Sequence, residues 1–275
     1  MIGVDSMSPE IAKQQALERL YETNINCQGE SMQIVNYHSA KDIDIRFMQT
    51  NNIIYHQSYS NFKKGALKDY YLPTFYDVGI VGNSKIYNAN GEKTLAFKHW
   101  EYMLKRCYYK LDLQRYPTYT HCEVCNEWLN LSNFEVWVKN NYYQCGNEKM
   151  CLDKDILFKN NKIYSPDTTI FIPERINILF TKTNAARGKY PIGVYYKQKN
   201  KKFVAQVSKL TDEQSNTKQQ EHIGLYNTPE DAFKAYKAAK ENYIKEVADY
   251  YLNKYPHFPR RIYDALYSYQ VEITD

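Results

Sequence analysis

A chain of 275 residues is long enough for two or three compact domains, since a domain typically takes about 100–200 residues. A hydrophobic fraction of 43% and an aromatic fraction of 15% provide enough apolar surface for folded cores and exclude wholesale disorder. The formal net charge is +5, and it is unevenly placed: residues 182–245 contain 13 Lys and Arg against 6 Asp and Glu. This segment is therefore the candidate for contact with nucleic acid.

The first twenty residues have neither the basic region nor the apolar core of a signal peptide. No stretch approaches the ~20 apolar residues of a membrane span. We therefore expect a cytoplasmic protein without a membrane partner, in which the six cysteines are reduced thiols.

The N-terminal region, residues 1–90, is predicted to be a β-rich accessory module. A helix is expected to begin after Ser8, because Ser can cap a helix and Pro9 can occupy its first position. Apolar and polar residues then alternate over residues 32–37 and 43–47, which is typical of half-buried strands. These residues offer no chemistry of their own.

Residues 91–181 are predicted to form a middle domain. Phe97, Trp100 and Leu104 recur at helical spacing and predict an amphipathic helix over residues 95–108. A second helix is expected over residues 133–140, a strand over 150–155 and a helix over 173–180.

The C-terminal region contains the most regular pattern. Strands are predicted at 192–196, 202–207 and 222–226, with a polar loop over 211–220. Thr228, Pro229 and Asp231 then form a strong helix start. The fold class is thus α+β and multidomain, with a domain over 182–255 and a tail over 256–275 that packs back on another domain.

Several of these C-terminal pieces resemble the AP2 DNA-binding family, above all the sequence GLYNTPEDAFKAYKAA at residues 224–239. The resemblance implies that a three-stranded sheet backed by a helix contacts double-stranded DNA. Cations would contact phosphates, and Arg, Gln and Lys would reach base edges. The expected DNA-binding residues are Arg187, Lys189, Tyr195, Lys197, Lys199, Lys201, Lys202, Gln206 and Lys209.

The middle region resembles bacteriophage proteins of the HNH-like, homing-endonuclease-like group. The resemblance rests on KHWEYMLKRCY, CEVCNEWLNLSNFEVW and LDKDILFKNNKIYSPDTTIFIPERIN. It implies a ββα domain of the His-Me finger type, in which a histidine activates water and a metal stabilises the scissile phosphate. Lys154 stands where that histidine is expected, and Asp153 and Asn177 are the candidate Mg²⁺ ligands. Lys154 or Asp155 would have to act as the base.

None of the six histidines falls inside this motif, which favours a DNA-binding fold that does not cleave. No cofactor is required by this interpretation, whereas the nuclease alternative requires Mg²⁺. A zinc site at Cys122 and Cys125 is not favoured, because the spacing of the remaining cysteines is not that of a zinc knuckle. The leading hypothesis is a phage-type DNA-binding protein acting in the infected bacterial cell. Its alternatives are a Mg²⁺-dependent endonuclease and a protein-interaction factor.

Overall fold

The computed structural model describes residues 9–181, 188–210 and 217–273 of the chain. These residues form a mixture of helices and sheets, arranged as two compact units. The first unit consists of the described residues up to Arg115 together with Asn126–Val136, and the second consists of Tyr116–Cys125 and the described residues from Trp137 onwards. The predicted middle region is therefore divided between the two units.

The first unit opens with a helix and an antiparallel four-stranded sheet whose order follows the chain. The elements are α1 (Pro9–Arg19), β1 (Thr23–Ile25), β2 (Ser31–Ser39), β3 (Asp42–Phe47), β4 (Ile53–Gln57) and α2 (Tyr59–Lys63). The predicted alternation is confirmed, because Met32, Ile34, Ile43 and Ile45 are fully buried on one side of the sheet together with Phe62 of α2.

Two further helices belong to this unit: α3 (Leu95–Tyr108) and α4 (Lys110–Arg115). The predicted bounds of α3 are confirmed at both ends. At its N-terminus, Thr94 accepts a hydrogen bond from the backbone N–H of Phe97 and caps the helix. The buried Trp100 donates its indole N–H to the carbonyl of Trp128 at 2.7 Å.

The second unit contains the rest of the predicted middle region. Its elements are β5 (Glu123–Val124), β6 (Met150–Asp153), β7 (Ile163–Tyr164), β8 (Ile170–Pro173) and α6 (Glu174–Phe180). The short β5 and β7 pair in parallel. β6 and β8 form an antiparallel pair followed directly by α6, which gives a strand–strand–helix order. Helix α5 (Leu131–Asn141) precedes this group and has its last five residues in the second unit.

The C-terminal part of the second unit is a three-stranded antiparallel sheet, ordered β11-β10-β9, with a long helix on one side. The elements are β9 (Val194–Lys197), β10 (Lys202–Leu210), β11 (Lys218–Tyr226), α7 (Pro229–Lys254) and α8 (Arg260–Tyr267). The core between this sheet and α7 contains Ala205, Val207, Ala232 and Tyr236. The sequence prediction was wrong for residues 218–220, which belong to β11 and not to a loop.

The C-terminal tail packs back on this unit, as predicted. Ile262 and Leu266 of α8 are almost fully buried, and Val271 joins the core between the sheet and α7. The ring of Tyr269 lies 4.7 Å from that of Phe180 at the end of α6. The strand–strand–helix group and the C-terminal sheet are therefore packed together.

No helix among residues 9–181, 188–210 and 217–273 combines the length and the apolarity needed to cross a membrane.

Candidate nucleic-acid interface

Strand register divides the C-terminal sheet into a face that packs on α7 and an outer face. Phe203, Ala205 and Val207 of β10 contact the α7 side. Because side chains alternate along a strand, Lys202, Val204, Gln206 and Ser208 lie on the outer face. The residues of β9 and β11 that pair with them lie on the same face, so all three strands contribute to it.

Eleven described strand residues make up this outer face. They are Tyr195, Lys197, Lys202, Val204, Gln206, Ser208, Leu210, Lys218, Gln220, His222 and Leu225. The set contains three lysines and no Asp or Glu, so the described strands present a positively charged outer face. Its middle strand, β10, contributes Val204, Gln206 and Ser208 between the two terminal positions Lys202 and Leu210.

The centre of the outer face combines an apolar patch with amide groups. Val204 is buried between its ladder partners Tyr195 and Leu225, which are 42% and 38% exposed. The next outward residue, Gln206, pairs with His222. An exposed aromatic ring beside amides and lysines is a combination that suits contact with nucleotides.

Four of the nine predicted DNA-binding residues lie on the outer face: Tyr195, Lys197, Lys202 and Gln206. Lys199 and Lys201 lie in the turn between β9 and β10, where Lys201 adopts a left-handed conformation. Both turn lysines are exposed and stand at the end of the sheet that carries Lys197 and Lys202. The turn therefore extends the basic surface beyond the strands.

The structure places Lys209 on the side of the sheet that faces α7. Its ammonium forms a 2.9 Å salt bridge with Glu221 and lies 5.5 Å from the centre of the Tyr243 ring. Lys209 is thus separated from the outer face by the alternation of the strand. Lys189 is exposed, with its ammonium over the ring of Tyr190, and Arg187 lies outside the described residues.

Sequence reasoning missed the outward residues of β11, namely Lys218, Gln220 and His222. A bulge in the pairing with Ala205 and Gln206 shifts the phase of this strand at Ile223. Because the bulge reverses the alternation, the outward positions of β11 follow only from the observed register. In the sequence, the spacing of Gln220 and His222 by two residues was the signal that both side chains lie on one face of a strand.

The second candidate site lies at the end of β6. One carboxylate oxygen of Asp153 accepts the backbone N–H groups of Asp155 and Ile156 at 2.9 and 2.8 Å. Burial, together with the nearby charge of Asp155, raises the pKa of Asp153 to about 6. The carboxylate therefore stabilises the turn after β6 through these two hydrogen bonds. Its raised pKa means that the hydrogen bonds and the charge of Lys154 do not offset the cost of burying its negative charge.

Lys154 points into the second unit, and its side chain is only 6% exposed. Its ammonium lies 3.1 Å from a carboxylate oxygen of Asp155 and within 6 Å of the centres of the Tyr119 and Tyr164 rings. Burial by itself lowers the pKa of Lys154, but the charge and hydrogen bond of Asp155, together with Cys122 and Tyr119, outweigh burial, and the net direction is upward. A general base at this position requires the opposite shift.

Asn161 and Asn177 have different roles in this region. The amide of Asn161 donates to the carbonyls of Lys154 and Ile163, both at 2.7 Å, and so holds the loop between β6 and β7. Asn177 lies in the middle of α6 and is half-buried. The strand–strand–helix order thus presents Asp153 at the end of a strand and Asn177 on the following helix.

The cysteines of the second unit do not assemble with other ligands into a metal site within the described ranges. The one group of three or more His, Cys, Asp or Glu side chains found there at metal-binding spacing is His38, Asp42 and Asp44, in the first unit. Cys122 is buried and Cys125 half-buried. Burial and Glu148 raise the pKa of the Cys145 thiol to about 12, so this thiol stays protonated at neutral pH.

No model of a known protein family, no curated protein and no solved structure matches this chain.

Proposed function

We propose that this chain binds double-stranded DNA through the outer face of its C-terminal sheet, as a DNA-binding protein of bacteriophage type with an AP2-like domain. The observation that carries the proposal is the composition of that face. Its described strand residues contribute Lys197, Lys202 and Lys218 without any carboxylate, around a centre of Tyr195 and Gln206.

The electrostatics of the face suit a polyanion. A lysine that approaches a DNA phosphate releases condensed counterions, and this release supplies most of the sequence-independent affinity. The three lysines lie on three different strands, and two more lysines extend the surface in the turn after β9. A narrow sheet of this kind has the width to enter a major groove.

The polar centre of the face would provide base contacts. A glutamine side chain can donate to and accept from the major-groove edge of adenine, and Gln206 and Gln220 both point outwards. Tyr195 adds an exposed ring with a hydroxyl group. Since lysine and tyrosine outnumber arginine here, we expect firm binding with modest sequence preference.

A Mg²⁺-dependent endonuclease is the second candidate function. It is supported by the strand–strand–helix order of β6, β8 and α6, with Asp153 and Asn177 as its metal ligands. The buried ion pair of Lys154 leaves Asp155, which is 48% exposed, as the remaining candidate base. The burial of Lys154, its ion pair with Asp155 and its raised pKa favour a domain that contacts DNA without cleaving it.

Two assays on the same protein separate these functions. The full-length protein is titrated into a fluorescently labelled 30-base-pair duplex at several salt concentrations, and the same protein is incubated with supercoiled plasmid in Mg²⁺ or EDTA. We expect a salt-dependent rise in anisotropy and no nicking. Nicking in Mg²⁺ that disappears in Asp153→Asn would establish the endonuclease, and absence of binding at low salt would contradict both functions.

A further inference from the structure

A cavity of about 470 Å³ opens at one edge of the C-terminal sheet. β9 pairs with β10 only as far as Ala205, whereas β10 continues to Leu210. The edge of β10 beyond Ala205 is therefore not covered by β9, and Ser208 and Leu210 line the cavity there. The end of α6, the middle of α7 and the C-terminal tail provide the other walls.

Two lysines line this cavity without a described carboxylate beside them. Lys240 projects from α7 and Lys218 from β11, and neither has a salt-bridge partner among the described residues. Burial, and then the charge of Lys218, lower the pKa of Lys240 to about 8. The ammonium of Lys240 is thus costly to hold in its charged form, and an anion beside it would remove that cost.

The remaining walls combine aromatic rings with amides. The rings belong to Phe180, Tyr190, Tyr195, Tyr236 and Tyr269, and the amides to Gln206 and Gln220. Aromatic rings stack on flat heterocycles, and amides pair with groups on their edges. A volume of about 300–1,000 Å³ is usual for small-molecule sites, so the cavity has room for a ligand of that class.

We propose that this cavity binds a phosphate ester that carries an aromatic ring, of the size of a nucleoside monophosphate, with Lys240 and Lys218 on the phosphate. The cavity adjoins the proposed DNA interface and shares six residues with it, whereas Lys240 belongs to the cavity alone, so the proposal does not require DNA binding. The shared residues are Tyr195, Gln206, Ser208, Leu210, Lys218 and Gln220. The phosphate would approach the two lysines, and the aromatic base would lie among the tyrosines.

The test is calorimetric titration of the full-length protein with AMP, with inorganic phosphate and adenosine as separate probes. We expect AMP to bind more tightly than either fragment, because each fragment makes only half of the contacts. Lys240→Met should weaken AMP binding about tenfold or more, since it removes a charge-assisted hydrogen bond and keeps the length of the side chain. Lys218→Met should act in the same direction.

Proton uptake gives a second readout. A phosphate beside Lys240 would raise its pKa, so binding at pH 8 should take up protons, measured from the dependence of the binding heat on the buffer. The titratable groups that line the cavity are Lys218, Lys240, Tyr190, Tyr195, Tyr236 and Tyr269. Proton uptake should disappear in Lys240→Met.

The control is Lys234→Met, which removes an exposed lysine of α7 outside the cavity and should leave AMP binding unchanged. The proposal is overturned if AMP does not bind, or if Lys240→Met binds AMP like the original protein. It is also overturned if a folded Lys240→Met binds neither AMP nor duplex DNA, because the cavity would then belong to the DNA interface. Replacement of Lys197 and Lys202 by Ala, which should weaken DNA binding, should leave AMP binding intact, because neither lysine lines the cavity.

Discussion

The ring of Tyr236 occupies the space that a side chain at Gly193 would need. A Cβ on residue 193 would stand 2.1 Å from a ring carbon of Tyr236, far inside van der Waals contact. Gly193 also has a φ of +75°, and its carbonyl accepts the backbone N–H of Gln206 at 3.0 Å. This one glycine therefore allows α7 to approach the start of β9 and aligns β9 with β10.

Gly193→Ala is expected to lower the free energy of unfolding by about 2–4 kcal/mol, because the methyl group meets both an unfavourable backbone conformation and a packed ring. Chemical denaturation monitored by tyrosine fluorescence measures the change. Gly188→Ala is the control, since nothing lies within 4 Å of the Cβ it adds and its φ is not positive. Equal stability of the two variants would contradict the packing of Tyr236 on Gly193.

Replacement of Lys197 and Lys202 by Ala is expected to weaken DNA binding and to make its salt dependence shallower. The slope of log K against log salt concentration should fall by about 0.9 for each phosphate that the variant no longer neutralises. Lys209→Ala is the matched control on β10, because its ammonium is paired with Glu221 on the other side of the sheet. An effect of Lys209→Ala as large as that of the double variant would place the interface elsewhere.

Asp153→Asn is expected to stabilise the protein above pH 7 by about 1–3 kcal/mol, since the amide oxygen can still accept the two backbone N–H groups while a half-buried charge is removed. The raised pKa of Asp153 means that the folded state binds its proton more tightly than the unfolded state. Its contribution to stability is therefore greatest at low pH and falls as the pH rises from about 4 to about 6.

Thermal unfolding of both proteins between pH 4 and pH 8 measures this effect. The advantage of Asp153→Asn should grow between pH 4 and pH 6 and then level off. Asp155→Asn is the contrasting variant and should destabilise the protein, because it leaves the buried Lys154 without its carboxylate partner. A pH-independent difference for Asp153→Asn would contradict the raised pKa of this group.

Thr228→Ala is expected to cost about 1 kcal/mol of stability, because Thr228 caps α7 by accepting the N–H of Asp231 at 3.2 Å. Thr228→Ser keeps the hydroxyl and should retain most of the stability. Thermal unfolding of the three proteins at one pH compares them. If Ser and Ala at this position were equally destabilising, the methyl group and not the cap would be responsible.

The helices were predictable because their signals are local. The Thr94 and Thr228 caps, with the apolar spacing that follows each, specify α3 and α7 within a few residues. The packed side of β10 was equally predictable, since Phe203, Ala205 and Val207 alternate with polar residues.

The composition of the candidate interface was only partly predictable. The sequence showed that lysines cluster near β9 and β10, but it could not show that Lys209 faces α7 or that His222 faces outwards. Both facts depend on the register between β10 and β11 and on one bulge, which are set by packing between strands distant in sequence.

The amino-acid sequence by itself determined the mixed fold, the positions of α3 and α7 and the basic character of the C-terminal region, because caps, spacing and charge act over a few residues. Only the tertiary structure decided that Lys154 is buried beside Asp155 and that Lys240 and Lys218 share a cavity. Burial, and the approach of charges from distant parts of the sequence, both arise from chain packing. They affect the free energy of an ionised group more strongly than the residues next to that group in the sequence do.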